Sequence, residues 1–337
     1  MKPFWALRVH DSDASDKGHP YATLQQVTLE ELSEGTVTIE VHYSSVNYKD
    51  ALAATGTGRI LKKFPLNAGI DASGVVLESR DPRFSKGQQV LVNGCGIGEN
   101  FDGGYSEVLR VNGNSVVPLP KGLTMREAMI LGTAGFTAAL ALHRMLENHQ
   151  SPDKGPILIT GASGGVGTIA TQLFAAQGFE VHAVSQKPEA VKNLLKFGAK
   201  KVIPPNELNL GSRPLESVRW GGVVDNVGGS LLSHAMAHVQ LWGNICCIGL
   251  AESAELKATV IPLILRGVSL LGVSSNNCPM DLRQKLWNRL ATDWRPPYLN
   301  ESLSRTVDLN NLMMVLDDLI HRRVSGRVLV EIRKDGV

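Results

Sequence analysis

The chain has 337 residues, a length that exceeds one small core and suits two domains. Hydrophobic residues make up 43% and charged residues 20%, which is an ordinary globular balance and excludes an intrinsically disordered chain. The formal net charge of +2 is too small to indicate binding to nucleic acid or to a membrane surface, so we expect neither partner.

The first residues contain no apolar run of the length that a signal peptide needs. Apolar stretches such as residues 261–265 fall far short of the roughly 20 residues of a membrane-spanning helix. Four cysteines show neither a CxxC pair nor the spacing of a zinc module; they are Cys95, Cys246, Cys247 and Cys278. We therefore expect a cytoplasmic protein with reduced thiols.

Residues 1–120 have the pattern of a strand-rich domain. Residues 36–42 (TVTIEVH) alternate with period two, which predicts a half-buried strand. Frequent glycine and proline up to residue 104 favour short strands and tight turns. The chain ends with another predicted strand at residues 327–332 (RVLVEI).

The pattern changes near residue 125, and residues 125–146 are small and apolar, as in a buried helix. A series of alternating elements follows: strand 156–160, helix 165–177, strand 179–185, helix 188–197, strand 200–203, and further strands at 221–225, 244–249 and 268–273. Alternation at this spacing predicts a parallel, doubly wound sheet.

The strongest motif is TGASGGVG at residues 160–167, which follows an apolar strand and precedes a helix. From Ala162 it reads A-x-G-x-x-G, the spacing of a dinucleotide fingerprint. Gly164 lets the backbone approach a pyrophosphate, and the helix N-terminus faces the phosphates. A glycine-rich turn that binds nothing is the alternative. The residues expected at the pyrophosphate are Ala162, Ser163, Gly164, Gly165, Val166 and Gly167.

The strand at 179–185 ends without an acidic residue at its tip. NAD enzymes usually carry Asp or Glu there to bind the ribose 2′-hydroxyl. Ser185, Gln186 and Lys187 suit a 2′-phosphate instead, and Lys201 on the next strand adds positive charge. The sequence therefore predicts NADPH, with a solvated Lys187 as the alternative.

Two further loops follow predicted strands at the carboxyl edge of the sheet, where ligands bind in open α/β folds. Asn226 and Leu250 lie in these loops and are expected to contact the cofactor. Asp225 suits a turn as well as it suits a ligand role.

In this order the segments resemble the medium-chain dehydrogenase/reductase superfamily across essentially the whole chain. Supporting segments are GIDASGVV at 69–76, GGYSE at 103–107 and GTAGFTAA at 132–139. The resemblance implies an α/β fold in which a Rossmann domain with a doubly wound parallel sheet covers residues 128–274. It also implies a GroES-like, strand-rich catalytic domain formed by residues 1–127 and 275–337.

Zinc enzymes of this superfamily bind the catalytic metal through Cys, His and a later Cys. The corresponding places here hold Asn47, Ile70 and roughly Thr133, and an isoleucine offers no donor atom. The region of the four-cysteine structural zinc lobe contains only Cys95. We therefore expect no metal.

Within the zinc-free branch, residues 44–52, 161–167 and 263–268 look like the acryloyl-CoA reductase family, formerly labelled as quinone oxidoreductases. The resemblance implies an NADPH-dependent, cytoplasmic enzyme that reduces acryloyl-CoA to propionyl-CoA. Gln186 and Lys187 stand where that family often has Gly-Arg, which keeps the positive charge. Further expected cofactor contacts are Tyr48, Ile264, Ser275 and, at the 2′-phosphate through the family's final G-R motif, Arg327.

Reduction of an enoyl thioester builds negative charge on the thioester oxygen, which pre-aimed hydrogen-bond donors stabilise. The resemblance places Asn47 and Tyr48 in the catalytic cleft. Tyr48 is the candidate for orienting substrate or relaying a proton, and Asn47 for donating to the oxyanion. Asp50 is expected to position Lys49 or backbone. A packing role, or contact with the cofactor alone, is the alternative for Tyr48.

A basic segment and an apolar strand give two further expectations. The segment GRILKK at residues 58–63 suits the phosphates of coenzyme A, with a solvated lysine pair as the alternative. The apolar strand at 268–273 predicts a homodimer, because exposed edges of this kind are usually paired. The rivals are an NADPH:quinone oxidoreductase and a protein that keeps NADPH without turnover.

Overall fold

The computed structural model describes residues 1–12 and 18–333 of the chain. Its strands, in chain order, are β1 (Phe4–His10), β2 (Tyr21–Val27), β3 (Val37–Ser45), β4 (Leu66–Asn67), β5 (Asp71–Ser79), β6 (Gln89–Asn93), β7 (Val108–Val111), β8 (Val117–Pro118), β9 (Ile157–Ile159), β10 (Val181–Val184), β11 (Ala199–Ile203), β12 (Trp220–Asp225), β13 (Val239–Cys247), β14 (Ser269–Gly272), β15 (Leu303–Val307) and β16 (Arg327–Glu331). Its α-helices are α1 (Tyr48–Thr55), α2 (Met125–Glu147), α3 (Gly165–Ala176), α4 (Val191–Lys196), α5 (Gly229–Ala235), α6 (Ile261–Arg266), α7 (Met280–Ala291) and α8 (Leu312–Ile320).

The chain divides into two compact units. Unit 1 contains Met1–Thr133, Asn276–Ala291 and Asn300–Val337, and unit 2 contains Ala134–Ser275 and Thr292–Leu299. The domain boundaries expected from the sequence, after residues 127 and 274, stay a prediction about where independently folding domains separate.

Unit 1 is built on two sheets. The smaller one has the order β2-β1-β4, and the larger one the order β15-β16-β3-β5-β6-β8, with β7 paired to β3. Most of these pairs are antiparallel, whereas β15 and β16 run parallel. In β3 the apolar members of the alternating pattern, Val37, Ile39 and Val41, are buried in one core cluster. The strand predicted at residues 36–42 is therefore confirmed.

A second core cluster of unit 1 holds α1 in place. Ala51 and Ala54 of α1 pack with Leu312 and Leu316 of α8 and with residues of β1 and β16. The small alanine side chains allow this close packing, so the start of α1 has a fixed position on the sheet. The helix ends at Gly56, which has the left-handed φ of 69° that glycine adopts at little cost.

Unit 2 contains one six-stranded sheet with the order β11-β10-β9-β12-β13-β14, in which every pair is parallel. Numbered from β9, this is the order 3-2-1-4-5-6 of a dinucleotide-binding Rossmann sheet. All residues of β9, β10 and β12 are buried, as expected for strands covered on both faces. The expected α/β fold, with a doubly wound sheet and a strand-rich domain, is confirmed.

Helix α2 (Met125–Glu147) is long and apolar enough, by length and composition alone, to cross a membrane. The expectation that apolar stretches fall far short of that length is therefore wrong for residues 125–147. In the structure 78% of its most apolar stretch is buried, which agrees with the buried helix predicted there. The backbone leaves the helical conformation at Gly132 (φ 51°, ψ −157°), so α2 consists of two helices joined at a kink.

Candidate functional site

The turn between β9 and α3 in unit 2 has the shape of a phosphate-binding loop. Gly161 has a φ of 58°, and Gly164 is the residue at which α3 begins to form. The turn is held by hydrogen bonds from Ala162 N to Val184 O (3.0 Å) and from Gly164 N to Gly161 O (3.0 Å). The first N–H groups of α3 have no acceptor within the helix, so they can bind an anion.

The glycines of this turn differ in the space around them. A Cβ on Gly167 would lie 2.5 Å from Ala162 Cα and from Gly161 O, so no side chain fits between α3 and the turn. A Cβ on Gly164 would meet only Gly161 O, at 3.2 Å, and would otherwise occupy open space. The geometry agrees with a packing role for Gly167 and leaves the space beside Gly164 open to a ligand.

The segment after β10 carries the residues expected at the 2′-phosphate. Ser185 is buried, and its Oγ accepts a hydrogen bond from Lys187 N at 3.1 Å. Lys187 is half-buried, and this burial lowers the pKa of its ammonium group below the ordinary value. Gln186 is exposed beside it. A partly desolvated ammonium group just after β10 is a suitable donor to an anionic ligand.

At the end of β12, the neighbouring residues Asp225 and Asn226 have different hydrogen-bonding environments. Asp225 is buried, accepting hydrogen bonds from Thr160 Oγ1 (2.7 Å) and Gly228 N (2.7 Å), and burial raises its pKa. These bonds favour the turn interpretation of Asp225. Asn226 donates from Nδ2 to Thr160 O (2.8 Å), while its buried Oδ1 has no partner among the described residues. That oxygen is an acceptor left over for a ligand.

The other residues of unit 2 that are expected to contact the cofactor differ in exposure and in their distance from Ser185. Leu250 and Ile264 are 58% and 71% exposed, and Ser275 is partly buried. Lys201 is exposed and pairs with His182, three residues before Ser185 along β10. At about 3.3 Å per residue, Lys201 therefore lies about 10 Å from the level of Ser185 along the strand direction. The placement gives Lys201 the weakest support of the set.

In unit 1, the start of α1 is fixed by a buried carboxylate. Asp50 accepts hydrogen bonds from Asn47 N (2.9 Å) at Oδ2 and from Ile70 N (2.9 Å) at Oδ1. The expectation that Asp50 positions backbone agrees with these bonds. Lys49 is not its partner, since the Lys49 ammonium lies 3.0 Å from Glu99 Oε1 instead.

Asp71, which the sequence analysis did not select, is the centre of this network. It is fully buried at the first position of β5. It accepts hydrogen bonds from Asn47 Nδ2 (2.7 Å), Ser45 Oγ (2.6 Å), Thr133 N (2.8 Å) and Thr133 Oγ1 (2.7 Å). The only sequence signal for Asp71 was its place beside Ile70, within a segment that served to support the family resemblance.

The structure contradicts the expectation that Asn47 donates to an oxyanion. Its amide Nδ2 is engaged by Asp71 and, at 3.2 Å, by Asp50 Oδ2, while Arg327 Nη1 lies 3.4 Å from Oδ1. The side chain has only two N–H groups, and the two carboxylates account for both. Asn47 therefore acts on the position of its neighbours.

Arg327 is also misplaced by the sequence analysis. It is 2% exposed, and its guanidinium donates to Ile130 O from Nε (2.8 Å) and to Val46 O from Nη1 (3.1 Å). Because the group is buried and bonded inside unit 1, the assignment of Arg327 to the 2′-phosphate is wrong. Its nearby counter-charge includes Asp71, which partly offsets the lowering of its pKa by burial. Arg327 thus supplies positive charge to the network around Asp71.

The network contains one carboxyl that titrates near neutrality. Burial, and then the charge of Asp71, raise the pKa of Asp50 to about 7. Burial likewise raises the pKa of the neighbouring Tyr105, whose hydroxyl donates to Ser45 O at 3.1 Å. At neutral pH the carboxyl of Asp50 is therefore present in both its protonated and its ionised form.

Tyr48 differs from all these residues because it is 39% exposed at the first position of α1. The network of Asn47, Asp50 and Asp71 lies directly behind that position, so the ring is carried on a rigid start of the helix. The three places that the family resemblance aligns with zinc ligands, Asn47, Ile70 and Thr133, are joined by the two carboxylates. Across residues 1–12 and 18–333, no group of three His, Cys, Asp or Glu side chains could hold a metal ion.

Two protein-family descriptions match the chain. Residues 33–121 match the alcohol dehydrogenase GroES-like domain, and residues 165–292 match the zinc-binding dehydrogenase domain.

Similar proteins match over nearly the full length. The acrylyl-CoA reductase AcuI of Ruegeria pomeroyi is 41% identical over 325 residues, which cover 96% of this chain and 98% of AcuI. The Bacillus subtilis protein YhfP, which carries a quinone oxidoreductase name, is 42% identical over 92% of this chain and 94% of its own length.

Solved structures of oxidoreductases are also similar over nearly the full length of the chain. The yhdH oxidoreductase of Salmonella enterica in complex with NADP has a TM-score of 0.93 at 40% identity, covering 98% of this chain and all of that one. The structure of B. subtilis yhfP with NAD bound has a TM-score of 0.94 at 40% identity, with the same coverage. The two structures contain different dinucleotides, so a preference in this chain must be argued from its own residues.

Proposed function

Because this chain belongs to the medium-chain dehydrogenase/reductase family, we propose that it is an NADPH-dependent reductase that converts acryloyl-CoA to propionyl-CoA. The observation that carries the proposal is the 41% identity to an acrylyl-CoA reductase over 96% of the chain. The proposed substrate class is a short 2-enoyl thioester of coenzyme A.

The residues at the carboxyl edge of the unit 2 sheet fit a dinucleotide with a 2′-phosphate. The turn at Gly161 and Gly164 leaves open space in front of the first N–H groups of α3, which suits a pyrophosphate. The unpartnered Oδ1 of Asn226 offers a buried acceptor. Lys187, and not an acid, stands at the tip of β10, so a 2′-phosphate would be bound where a free ribose hydroxyl would lack its usual carboxylate.

The reaction adds a hydride to the β-carbon of the thioester, moves negative charge to the thioester oxygen as an enolate, and adds a proton to the α-carbon. Bound NADPH supplies the hydride. We propose that the Tyr48 hydroxyl binds and orients the thioester and passes on the proton. Its exposure lets it exchange that proton with solvent, whereas the buried Tyr105 has no such access.

Asn47, Asp50 and Asp71 serve this chemistry indirectly. They satisfy the backbone and side-chain polar groups at the start of α1 and thereby fix Tyr48 in one position. A donor held in place before reaction costs no reorganisation when charge develops. We therefore treat Asn47 and Asp50 as positioning residues and Tyr48 as the candidate catalytic residue.

The test is a comparison of NADPH oxidation with acryloyl-CoA, crotonyl-CoA and a quinone at equal concentrations. We expect acryloyl-CoA to be reduced fastest and crotonyl-CoA to be clearly poorer, since a pocket closed to one methylene discriminates by about 1–3 kcal/mol. Tyr48→Phe should lower kcat with acryloyl-CoA by about 10²-fold or more while leaving the Kd for NADPH unchanged. An unchanged kcat would remove the catalytic assignment of Tyr48.

One observation favours the second candidate function, NADPH:quinone oxidoreductase, because YhfP carries that name at 42% identity. In the same panel, faster turnover of the quinone than of acryloyl-CoA would establish this alternative. Cofactor oxidation with neither acceptor would instead favour the rival in which the protein keeps NADPH without turnover.

We also propose a homodimer formed through unit 2. Strand β14 lies at the edge of the sheet, with Leu270 exposed. Further large apolar side chains of unit 2 are exposed at Trp242 (70%), Ile264 and Leu265. An unpaired edge with exposed apolar residues is commonly covered by a second copy. A stable monomer at micromolar concentration in sedimentation would contradict this. The four unpaired cysteines support a cytoplasmic location.

A further inference from the structure

The segment between α1 and β4 carries three exposed cations within five residues. Arg59, Lys62 and Lys63 are all exposed, and we call them the basic loop. The proposed function assigns no role to this loop. Its sequence favours either a phosphate site or a set of solvated side chains.

Main-chain hydrogen bonds bring the basic loop back towards the start of α1. Gly58 N donates to Leu52 O at 3.2 Å, which turns the chain along the helix. Lys62 N donates to Glu99 O at 2.9 Å, and the carboxylate of Glu99 lies 3.0 Å from the Lys49 ammonium. Glu99 thus joins the basic loop to the residue directly after Tyr48.

The charges of the basic loop have little compensation within unit 1. Lys49 is neutralised by Glu99, but Arg59 and Lys62 form no ion pair within residues 1–12 and 18–333. Lys63 lies 5.7 Å from the centre of the exposed Phe101 ring, a contact that leaves its charge in place. Three positive charges within five residues repel one another, so an anion bound among them would stabilise the loop.

We propose that the basic loop binds the phosphates of the coenzyme A carrier. This inference rests on the proposed function, because it takes the thioester to be held at Tyr48. Helix α1 has eight residues and is about 12 Å long, so the loop beside it is within reach of the long pantetheine arm. Phosphate recognition by flexible lysines and an arginine matches the side chains present.

The experiment compares two triple variants of the full-length protein. The test variant carries Arg59→Gln, Lys62→Gln and Lys63→Gln, which keep polar side chains of similar length. The control variant carries Lys86→Gln, Lys121→Gln and Lys285→Gln, three exposed cations elsewhere in unit 1 with the same loss of charge. Each is assayed with acryloyl-CoA and with the acryloyl thioester of N-acetylcysteamine, which lacks phosphates. The Kd values for free CoA and for NADPH are measured in parallel.

The test variant should raise the KM for acryloyl-CoA and the Kd for free CoA about tenfold, because each exposed charge contact contributes modestly. Its kcat, its KM for the truncated thioester and its Kd for NADPH should match those of the control variant. The salt dependence of the KM for acryloyl-CoA should also weaken only in the test variant.

Three outcomes would overturn the assignment. Equal KM values for acryloyl-CoA in the two variants would leave the loop as solvated cations, and an equal rise for the truncated thioester would place its effect at the acyl group. A weakened Kd for NADPH alone would assign the loop to the cofactor. If the wild-type protein binds free CoA through the loop but does not reduce acryloyl-CoA, the proposed function fails while this assignment stands.

Discussion

The candidate cofactor site of unit 2 and the polar network of unit 1 consist of different kinds of polar group. At the carboxyl edge of the unit 2 sheet, the groups offered to a ligand are main-chain N–H groups of α3, the tip of β10 and one unpartnered oxygen of Asn226. In unit 1, the polar side chains behind the start of α1 are already hydrogen-bonded to one another around the buried Asp71. The first arrangement leaves main-chain groups open to a ligand, and the second holds the exposed Tyr48 in place.

This difference predicts different responses to substitution. The unit 2 site should tolerate substitutions that leave its main-chain groups accessible. It should lose ligand affinity when a side chain blocks those groups. The unit 1 network should lose stability when one member is removed, because the remaining buried charges lose their partner.

The largest effect is expected from Asp71→Asn. The amide would present N–H groups to Ser45, Asn47 or Thr133, which are all donors to Asp71, and would leave Arg327 with less counter-charge. The free energy of unfolding should fall by about 3–5 kcal/mol in urea denaturation. The control Asp281→Asn, at an exposed position of α7, should change it little. Equal losses in the two variants would contradict a central role for Asp71.

The pH dependence of stability should come next in size. Because the pKa of Asp50 is raised to about 7 from its ordinary 3.8, the native state keeps a proton that the unfolded chain releases. The contribution of this carboxyl to the free energy of unfolding is fully present below about pH 4. It is lost as the pH rises through 7. Relative to Asp50→Asn, the wild type should therefore lose about 2–4 kcal/mol between pH 4 and pH 8. Parallel stability curves for the two proteins would show that Asp50 does not titrate in this range.

Lys187→Ala tests the unit 2 side of the comparison. A charge-assisted contact with the 2′-phosphate contributes about 1.5–3 kcal/mol, so the Kd for NADPH should rise by more than about tenfold. The Kd for NADH and the unfolding midpoint should change little. Lys192→Ala, an exposed lysine on α4, is the matched control. Equal weakening of NADPH and NADH would remove Lys187 from the 2′-phosphate.

The smallest free-energy change of this series is expected at the two glycines of the turn, which should respond differently to substitution. Gly167→Ala forces a Cβ to within 2.5 Å of Ala162 Cα and should cost about 1–3 kcal/mol of unfolding free energy. Gly164→Ala has room for its methyl group beyond one contact at 3.2 Å, and should keep stability while weakening NADPH. Differential scanning calorimetry and cofactor titration check both. Unchanged NADPH affinity in Gly164→Ala would mean that the pyrophosphate does not approach this residue.

The sequence predicted unit 2 better than unit 1 for a physical reason. The parallel sheet and its turn are encoded by local patterns, such as the eight residues 160–167, whose spacing determines the backbone shape. The network of unit 1 joins Ser45, Asp71, Thr133 and Arg327, which lie up to 282 positions apart, so no local pattern shows that they meet. For this reason Asp71 was missed. Arg327 was assigned a contact that its burial does not allow, and Asn47 one that its hydrogen bonds to Asp71 and Asp50 do not allow.

The most direct test of the account is the fate of isotopes in the product. The full-length protein is incubated in ordinary water with acryloyl-CoA and NADPH carrying deuterium at the transferred position of C4, in the presence of a metal chelator. The account predicts propionyl-CoA with one deuterium at the β-carbon and a solvent proton at the α-carbon, with the chelator having no effect. Oxidation of NADPH without propionyl-CoA, deuterium at the α-carbon, or loss of activity on chelation would contradict it.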